Sequence, residues 1–525
     1  MVVGAAMDRR RFIKNSLSLA ALGAAPMGCQ DGAPAVHTTD RWGAIPAGYQ
    51  AALLPEDKRP ERVLELFCLG GVSPWESFYT VPEYGKPDKM YWAFQDETAG
   101  LGVSEWFSKC GSGGEPFEKF APDSLGTMVN LGPFIHPLRA RPDILARMRV
   151  WVMAHDIEPH EVAIPLAITG MRLGNPRQAA LGSHIMRHWQ DRGPADRTAP
   201  YTYALYQSSY NVTNNATGAS TTGLHRATAR PMQVQLGAGT RLARQLPRPS
   251  TTAFKNQLDS LVNWYSDRFA DRLKAAEHMV RSPGFSDFRF SRRSMAQHEI
   301  LTALLPPEVL KPGTTDLCIF KEPEPLPNPL WDEVTASIDL ARHLLTADQH
   351  AAKYVQVLEG GIVTDPNGQG YDAHGAHVAQ QGPNLAHALE ALVATINRPG
   401  ENDPKKLSLD KDFVLLNTEF GRAPQPEFSP RNPYGYGSDH WPWGYVVVGF
   451  GSFCDADRRG VVGAIGHDAL ATEATTPAEH RAAMLLAMGI WPFSEESFAV
   501  GDVRGATSEL DAAMILRSRV LGYNT

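Results

Sequence analysis

Acidic and histidine side chains in this 525-residue chain gather in short segments that directly follow apolar runs. In Tyr371-Asp372-Ala373-His374-Gly375, Asp372 and His374 stand two residues apart. In an extended loop such a pair points the same way, so a carboxylate oxygen and an imidazole nitrogen can share one cation. The competing reading has Asp372 capping the helix that follows and His374 solvated. In Thr418-Glu419-Phe420-Gly421-Arg422, Glu419 is a candidate metal ligand, and Arg422 can engage an anion through its planar fork. A Glu-Arg salt bridge that holds the loop would explain the same residues. Asp439 and His440, set among Gly437, Trp441 and Trp443, form a second candidate ligand pair shielded by tryptophan. His160, closing the segment His155-Asp156-Ile157-Glu158-Pro159-His160, can act as ligand, general base or nucleophile, although a lone histidine is more often structural. The glycines of Gly70-Gly71-Val72-Ser73-Pro74-Trp75-Glu76 let backbone amides approach an anion, with Ser73 and Glu76 beside them as candidate substrate-binding groups. Trp441 is a third, as a wall of the same site.

These segments need a frame that brings them together. Apolar runs at 62–69 (RVLELFCL), 149–154 (RVWVMA), 354–358 (YVQVL), 413–417 (FVLLN) and 445–449 (YVVVG) end abruptly at glycine or polar residues, as strands of a covered parallel sheet do. Between them lie helical patterns. Leu258, Leu261, Val262, Tyr265, Phe269 and Leu273 predict a helix over 252–279, and Leu385, Leu389, Leu392, Val393 and Ile396 one over 384–396. A third is expected over 477–488, with proline at its start. Strands alternating with helices predict an α/β three-layer sandwich with a mostly parallel sheet. Ligands then bind beyond the carboxyl ends of the strands, where the segments above fall. Residues 191–250, rich in Thr, Ser, Asn, Gly, Arg and Pro, are expected to be an excursion over one face.

The start of the chain, Asp8-Arg9-Arg10-Arg11-Phe12 followed by a short Ala- and Gly-rich apolar run, has the pattern of a twin-arginine export signal over 1–28. It predicts passage through the Tat translocase and a periplasmic or secreted protein. Cys29 stands where a lipid anchor could be attached. Residues 29–59 are expected to be a tether or extended arm and 60–525 one α/β domain. The charged fraction is 20% and the net charge −7, with no basic stripe, which argues against a nucleic-acid partner. No later stretch is apolar for the ~18 residues a membrane span needs. Cys68, Cys110, Cys318 and Cys454 have no close spacing, which argues against a zinc knuckle; they allow one or two disulfides whose pairing spacing does not reveal.

GGVSPWESF, YDAHG, TEFGRAP and SDHWP, in that order behind a twin-arginine signal, resemble the domain-of-unknown-function 1501 family over about residues 60–470. That family is grouped by resemblance with the alkaline phosphatase and sulfatase superfamily. The resemblance implies divalent metal (zinc, calcium, magnesium or manganese) held above a parallel sheet by Asp and His from such loops. By it, Asp372 and His374 look like the superfamily's ligand pair, Glu419 stands at the Asp of a strand-end Asp-His-Gly, and His440 at a later ligand His. Phe420 replaces the His of that Asp-His-Gly, Glu76 stands for an Asp, and His160 stands where the nucleophile is expected. The resulting expectation is a metal-dependent hydrolase of phosphate, sulfate or related esters, small or polymeric, in which Arg422 stabilises charge on the transferring group and His160 takes part in catalysis. The alternative is a secreted, non-catalytic protein on the same fold that binds glycan or cell-surface polymer. An oxidoreductase is the weakest reading, since no dinucleotide fingerprint and no haem or cluster cysteines are present.

Overall fold

The computed structural model describes residues 42–85, 103–190, 203–207, 213–223, 231–234, 252–275, 300, 303–318, 330–363, 370–427, 437–494 and 497–524. The twin-arginine segment, Cys29 and the first part of the expected tether lie outside the described residues, as does most of 191–250.

Eight strands form the central sheet: β1 (Arg62–Cys68), β2 (Met148–Met153), β3 (Tyr203–Gln207), β4 (Met232–Val234), β5 (Tyr354–Glu359), β6 (Asp412–Asn417), β7 (Tyr445–Gly451) and β8 (Gly460–Val462). Their spatial order is β8-β2-β7-β6-β1-β5-β3-β4. Every neighbouring pair is parallel except those made by β7, which runs antiparallel to both β6 and β2. The five strands expected from the apolar runs are all here, with ends shifted by no more than two residues. They read as unbroken apolar runs because the sheet is covered on both faces. Leu64 and Leu66 of β1 pack into one core with Leu340 and Leu344 of α4 (Glu333–Leu345) and Leu385 and Leu389 of α5 (His377–Ala394). Val63 and Phe67 face the other way, toward Ile164 of α1 (His160–Thr169), Ile185 of α2 (Leu181–Gln190) and Leu485 of α6 (Pro477–Ala487). The three layers expected from the sequence are therefore present.

Three sequence expectations change. Residues 191–250 are not wholly an excursion, since β3 and β4 come from within them and extend the sheet beyond β5. The helix expected over 384–396 begins seven residues earlier, at His377, in a stretch whose Gln380 and Gln381 are buried and bond to loop carbonyls. The long helix α3 (Thr252–Ala275) forms as its periodicity predicts, yet Leu258, Leu261, Tyr265 and Phe269 are 44–64% exposed, so its apolar positions do not build the core.

A fully buried ion pair ties α6 to the sheet. Thr476 and Glu479 close a capping box around the start of α6, and Pro477 sits at its first position. One turn on, the Arg481 guanidinium donates to both Glu65 oxygens of β1, at 2.6 and 2.8 Å. Asn417 donates to Glu65 as well, at 3.0 Å, and so does the Tyr354 hydroxyl. Burial alone would raise the Glu65 carboxyl, but the Arg481 charge and these hydrogen bonds hold it below its ordinary value. The cysteine pairing left open by the sequence is resolved: Cys110 and Cys318 form a disulfide, while Cys68 and Cys454 are buried free thiols.

Candidate functional site

The parallel strands end, and the antiparallel β7 begins, along one edge of the sheet, and the candidate residues collect there. β1 runs into Gly70, β2 into His155 and then His160 at the first position of α1, and β6 into Thr418 and Glu419. Asp372 and His374 lie between β5 and α5. A two-residue ribbon, Gly421–Arg422 against His440–Trp441, sets Arg422 directly opposite His440 just before β7. The chain must pass very close to itself to do this. Gly70 has φ +110°, and a Cβ there would lie 2.1 Å from the Asp372 amide nitrogen, so only glycine serves.

Asp372 Oδ1 is the centre of the cluster. His374 Nε2 lies 3.0 Å from it, His440 Nε2 3.2 Å, His160 Nε2 3.4 Å and Arg422 Nη1 2.9 Å. His374 Nε2 and His440 Nε2 are 3.1 Å apart. The ring of Phe420 stacks on His440 with centroids 4.4 Å apart and forms an apolar wall of the cluster. Asp372 and the three histidines keep 15–23% of their side chains exposed, which leaves the cluster open to solvent. Donor atoms group into two overlapping triads, His160/Asp372/His440 and His374/Asp439/His440, each with its atoms within 4.8 Å of one another.

Charge follows from this packing. Burial pushes the Asp372 carboxyl up, but hydrogen bonds from His160, His374 and His440 and the nearby Arg422 charge hold it far below the usual carboxylate range. Burial opposes a charge on His160, but its hydrogen bonds to Asp372 and Glu419 outweigh that and raise it to about 10. His374 is also raised, against burial, by Asp372, with Arg422 pulling the other way. Two carboxylates thus keep positive charge in the cleft.

The structure distributes the candidates between cleft and frame. Asp372, His374, His440 and His160 converge, and Asp439, exposed at its edge, joins the second triad. Glu419 stands behind them: it is fully buried, accepts from the Gly70 amide at 2.8 Å, and is 2.9 Å from His160 Nδ1. It orients His160 and lies in neither triad. Arg422 is also fully buried, donating to the carbonyls of Gly70 and Ser438 as well as to Asp372. In this placement it holds Asp372 and does not face an incoming anion. Ser73 and Glu76 turn inward, where the Ser73 hydroxyl donates to Glu76, and Glu76 meets His377 at 3.1 Å. All three are fully buried and brace the loop above β1. Trp441 anchors its indole on the Ala469 carbonyl at 2.8 Å, and Trp443 beside it is 36% exposed.

Two residues of the site were not singled out in the sequence. His155 Nε2 lies 2.7 Å from the Glu419 carbonyl, and Glu427 Oε2 lies 2.8 Å from His374 Nδ1. His155 adjoins the candidate His160 in an acidic segment, which was a usable signal. Nothing near Glu427 in the sequence announces its partner.

Glu359, at the end of β5, is a buried carboxyl with one oxygen accepting from the Gly361 amide at 2.5 Å. Burial raises it to about 7. Between the ordinary carboxylate range and pH 7 the folded chain keeps a proton that the unfolded chain releases, so this group's contribution to stability is lost as pH rises through that window. Glu359→Gln should therefore gain stability over the parent at pH 8 by up to about 3 kcal/mol, with little gain at pH 4. Urea unfolding at the two pH values measures this, and an equal difference at both would contradict the assignment.

No protein-family model matches the chain, and no curated protein matches its sequence. Fold and site together define the class: an α/β sandwich on a mostly parallel eight-stranded sheet, with a histidine and aspartate cluster at the carboxyl edge.

Proposed function

We propose that this chain is an exported, divalent-metal-dependent hydrolase of phosphate, sulfate or related esters, of the kind its resemblance to the domain-of-unknown-function 1501 family implies. The observation that carries the reading is the convergence of three imidazoles on one carboxylate oxygen at the sheet's carboxyl edge. The donor set suits a cation. The spacings of 3.0, 3.1 and 3.2 Å among Asp372 Oδ1, His374 Nε2 and His440 Nε2 are near the roughly 3.3 Å that separates ligands around a tetrahedral ion with bonds of about 2.0–2.1 Å. His160 Nε2 faces the same Asp372 oxygen, at 3.4 Å, and groups with Asp372 and His440 as a further donor.

Asp372, His374 and His440, with Asp439 at the rim, would hold the ion. Bound there, it would act as a Lewis acid toward an ester oxygen. His160 has a separate task. Hydrogen bonds to Asp372 and the fully buried Glu419 outweigh burial and keep it protonated, and Glu419 on Nδ1 leaves Nε2 facing the cleft. As water attacks phosphorus or sulfur and the ester P–O or S–O bond breaks, the Nε2 proton passes to the leaving oxygen and the alcohol departs neutral. Phe420, packed against His440 and His160, shields one side of the cluster.

The test combines metal analysis with a panel of esters that differ in leaving group. Purified protein should hold a divalent ion in stoichiometric amount. His160→Ala should lower kcat by about 10²-fold for alkyl or sugar esters, whose alkoxides need the proton, and far less for nitrophenyl esters. Equal losses for both would remove the acid role. A protein with neither metal nor turnover that still binds polymer would instead fit the non-catalytic reading, for which exposed Trp443 offers a stacking face.

A further inference from the structure

We propose that Glu427 is a positioning residue for the cation site, fixing which nitrogen of His374 faces the metal. This rests on the reading of His374 and His440 as ligands. An imidazole can present either nitrogen, and the hydrogen bond made by one decides which lone pair the other offers. Here Nδ1 lies 2.8 Å from Glu427 Oε2, and Nε2 points into the cluster, 3.0 Å from Asp372 Oδ1 and 3.1 Å from His440 Nε2. With its Nδ1 proton donated to Glu427, the ring can give up its Nε2 proton and offer that lone pair to a cation.

The backbone holds Glu427 in register for this. Its amide donates to the Gly437 carbonyl at 2.8 Å, and the Gly437 amide returns the bond at 3.0 Å. Gly437 in turn lies flat on His374: a Cβ there would come within 1.9 Å of the His374 carbonyl oxygen. The next amide, of Ser438, donates to the Ala373 carbonyl at 2.9 Å. The strand of chain that delivers Asp439 and His440 is thus tied on one side to the His374 loop and on the other to Glu427. One bridge brings the orienting carboxylate and two further donors to the same place.

The arrangement repeats what Glu419 does for His160, with one difference that matters for experiment. The Glu419 side chain is fully buried, whereas that of Glu427 is 42% exposed. Removing Glu427 therefore leaves no buried charge uncompensated, and its effect on the ligand separates from any effect on folding.

The test uses the full-length protein and its Glu427→Ala and Glu427→Gln variants. Zinc affinity, measured by competition with a chromophoric chelator, should fall about 10- to 100-fold in Glu427→Ala. Glu427→Gln should recover much of it, because its amide oxygen still accepts the Nδ1 proton. Labelling with 15N-histidine gives a second readout: the Nδ1–H proton of His374, assigned by its loss in His374→Gln, should be hydrogen-bonded and slow to exchange with solvent in the parent and in Glu427→Gln but fast in Glu427→Ala. Melting temperatures should be nearly equal across the set. Unchanged exchange of the His374 Nδ1 proton in Glu427→Ala overturns the proposal, as does unchanged zinc affinity. If the parent itself binds no zinc, the cation reading fails, and the Nδ1 exchange alone decides the role of Glu427.

Discussion

Asp372→Ala is expected to abolish tight divalent-metal binding and to lower ester turnover by about 10³- to 10⁴-fold, the equivalent of about 4–6 kcal/mol of transition-state stabilisation. The size follows from how much meets at one atom. Asp372 Oδ1 is approached within 3.4 Å by three imidazole nitrogens and a guanidinium nitrogen, so the carboxylate is the charge that gathers the others and, on the proposed reading, a ligand as well. Without it, His160 and Arg422 face each other with one fewer counter-charge, and the cleft is expected to spread. Asp372→Asn is the control, since it keeps the shape and removes the charge. It should bind metal far more weakly than the parent while unfolding at a similar denaturant concentration. Full metal occupancy in Asp372→Ala, measured by elemental analysis after gel filtration, would refute the assignment of the site.

The second large effect is structural. Arg481→Met should cost about 3–5 kcal/mol of stability, because it strands the fully buried Glu65 carboxylate in the middle of the sheet. The double change Glu65→Leu with Arg481→Met should recover most of that, since apolar residues of similar volume can replace a buried pair. The comparison needs only denaturant curves for three proteins. A double variant no more stable than Arg481→Met would mean that the pair specifies this packing in a way that apolar contacts cannot replace.

Much of this architecture could be read in advance, and the reasons are specific. β1, β2, β5, β6 and β7 are apolar on both faces and stop at glycine or polar residues, so their positions and the loops that follow them were plain. The loops that carry the candidate ligands were legible for the same reason: they follow or precede strands of one sheet. Side-chain direction was not. Ser73, Glu76, Glu419 and Arg422 have the same residue types that line clefts, yet each turns inward: Glu419 and Arg422 satisfy the Gly70 amide and carbonyl left buried by its close crossing over the Asp372 loop, and Ser73 and Glu76 bond to each other and to His377. β3 and β4 are short pieces in polar surroundings and gave no periodic signal. The α3 pattern announced an amphipathic helix but carried no statement of what its apolar stripe would meet. Glu427 was invisible because its position depends on a bridge to Gly437, a contact that no local pattern encodes.

The reversed direction of β7 has a consequence for synthesis. β7 lies between β6 and β2, so among the described residues the β2–β8 pair is joined to the rest of the sheet only through it. A ribosome that has released residues up to 440 has therefore made every histidine and carboxylate of the cluster, yet the scaffold is still in two halves, and His160 hangs from the half that has not been joined. On the proposed reading, an emerging polypeptide would have no finished pocket for an ion until the last third of its translation is well under way, and loading would follow assembly of the sheet.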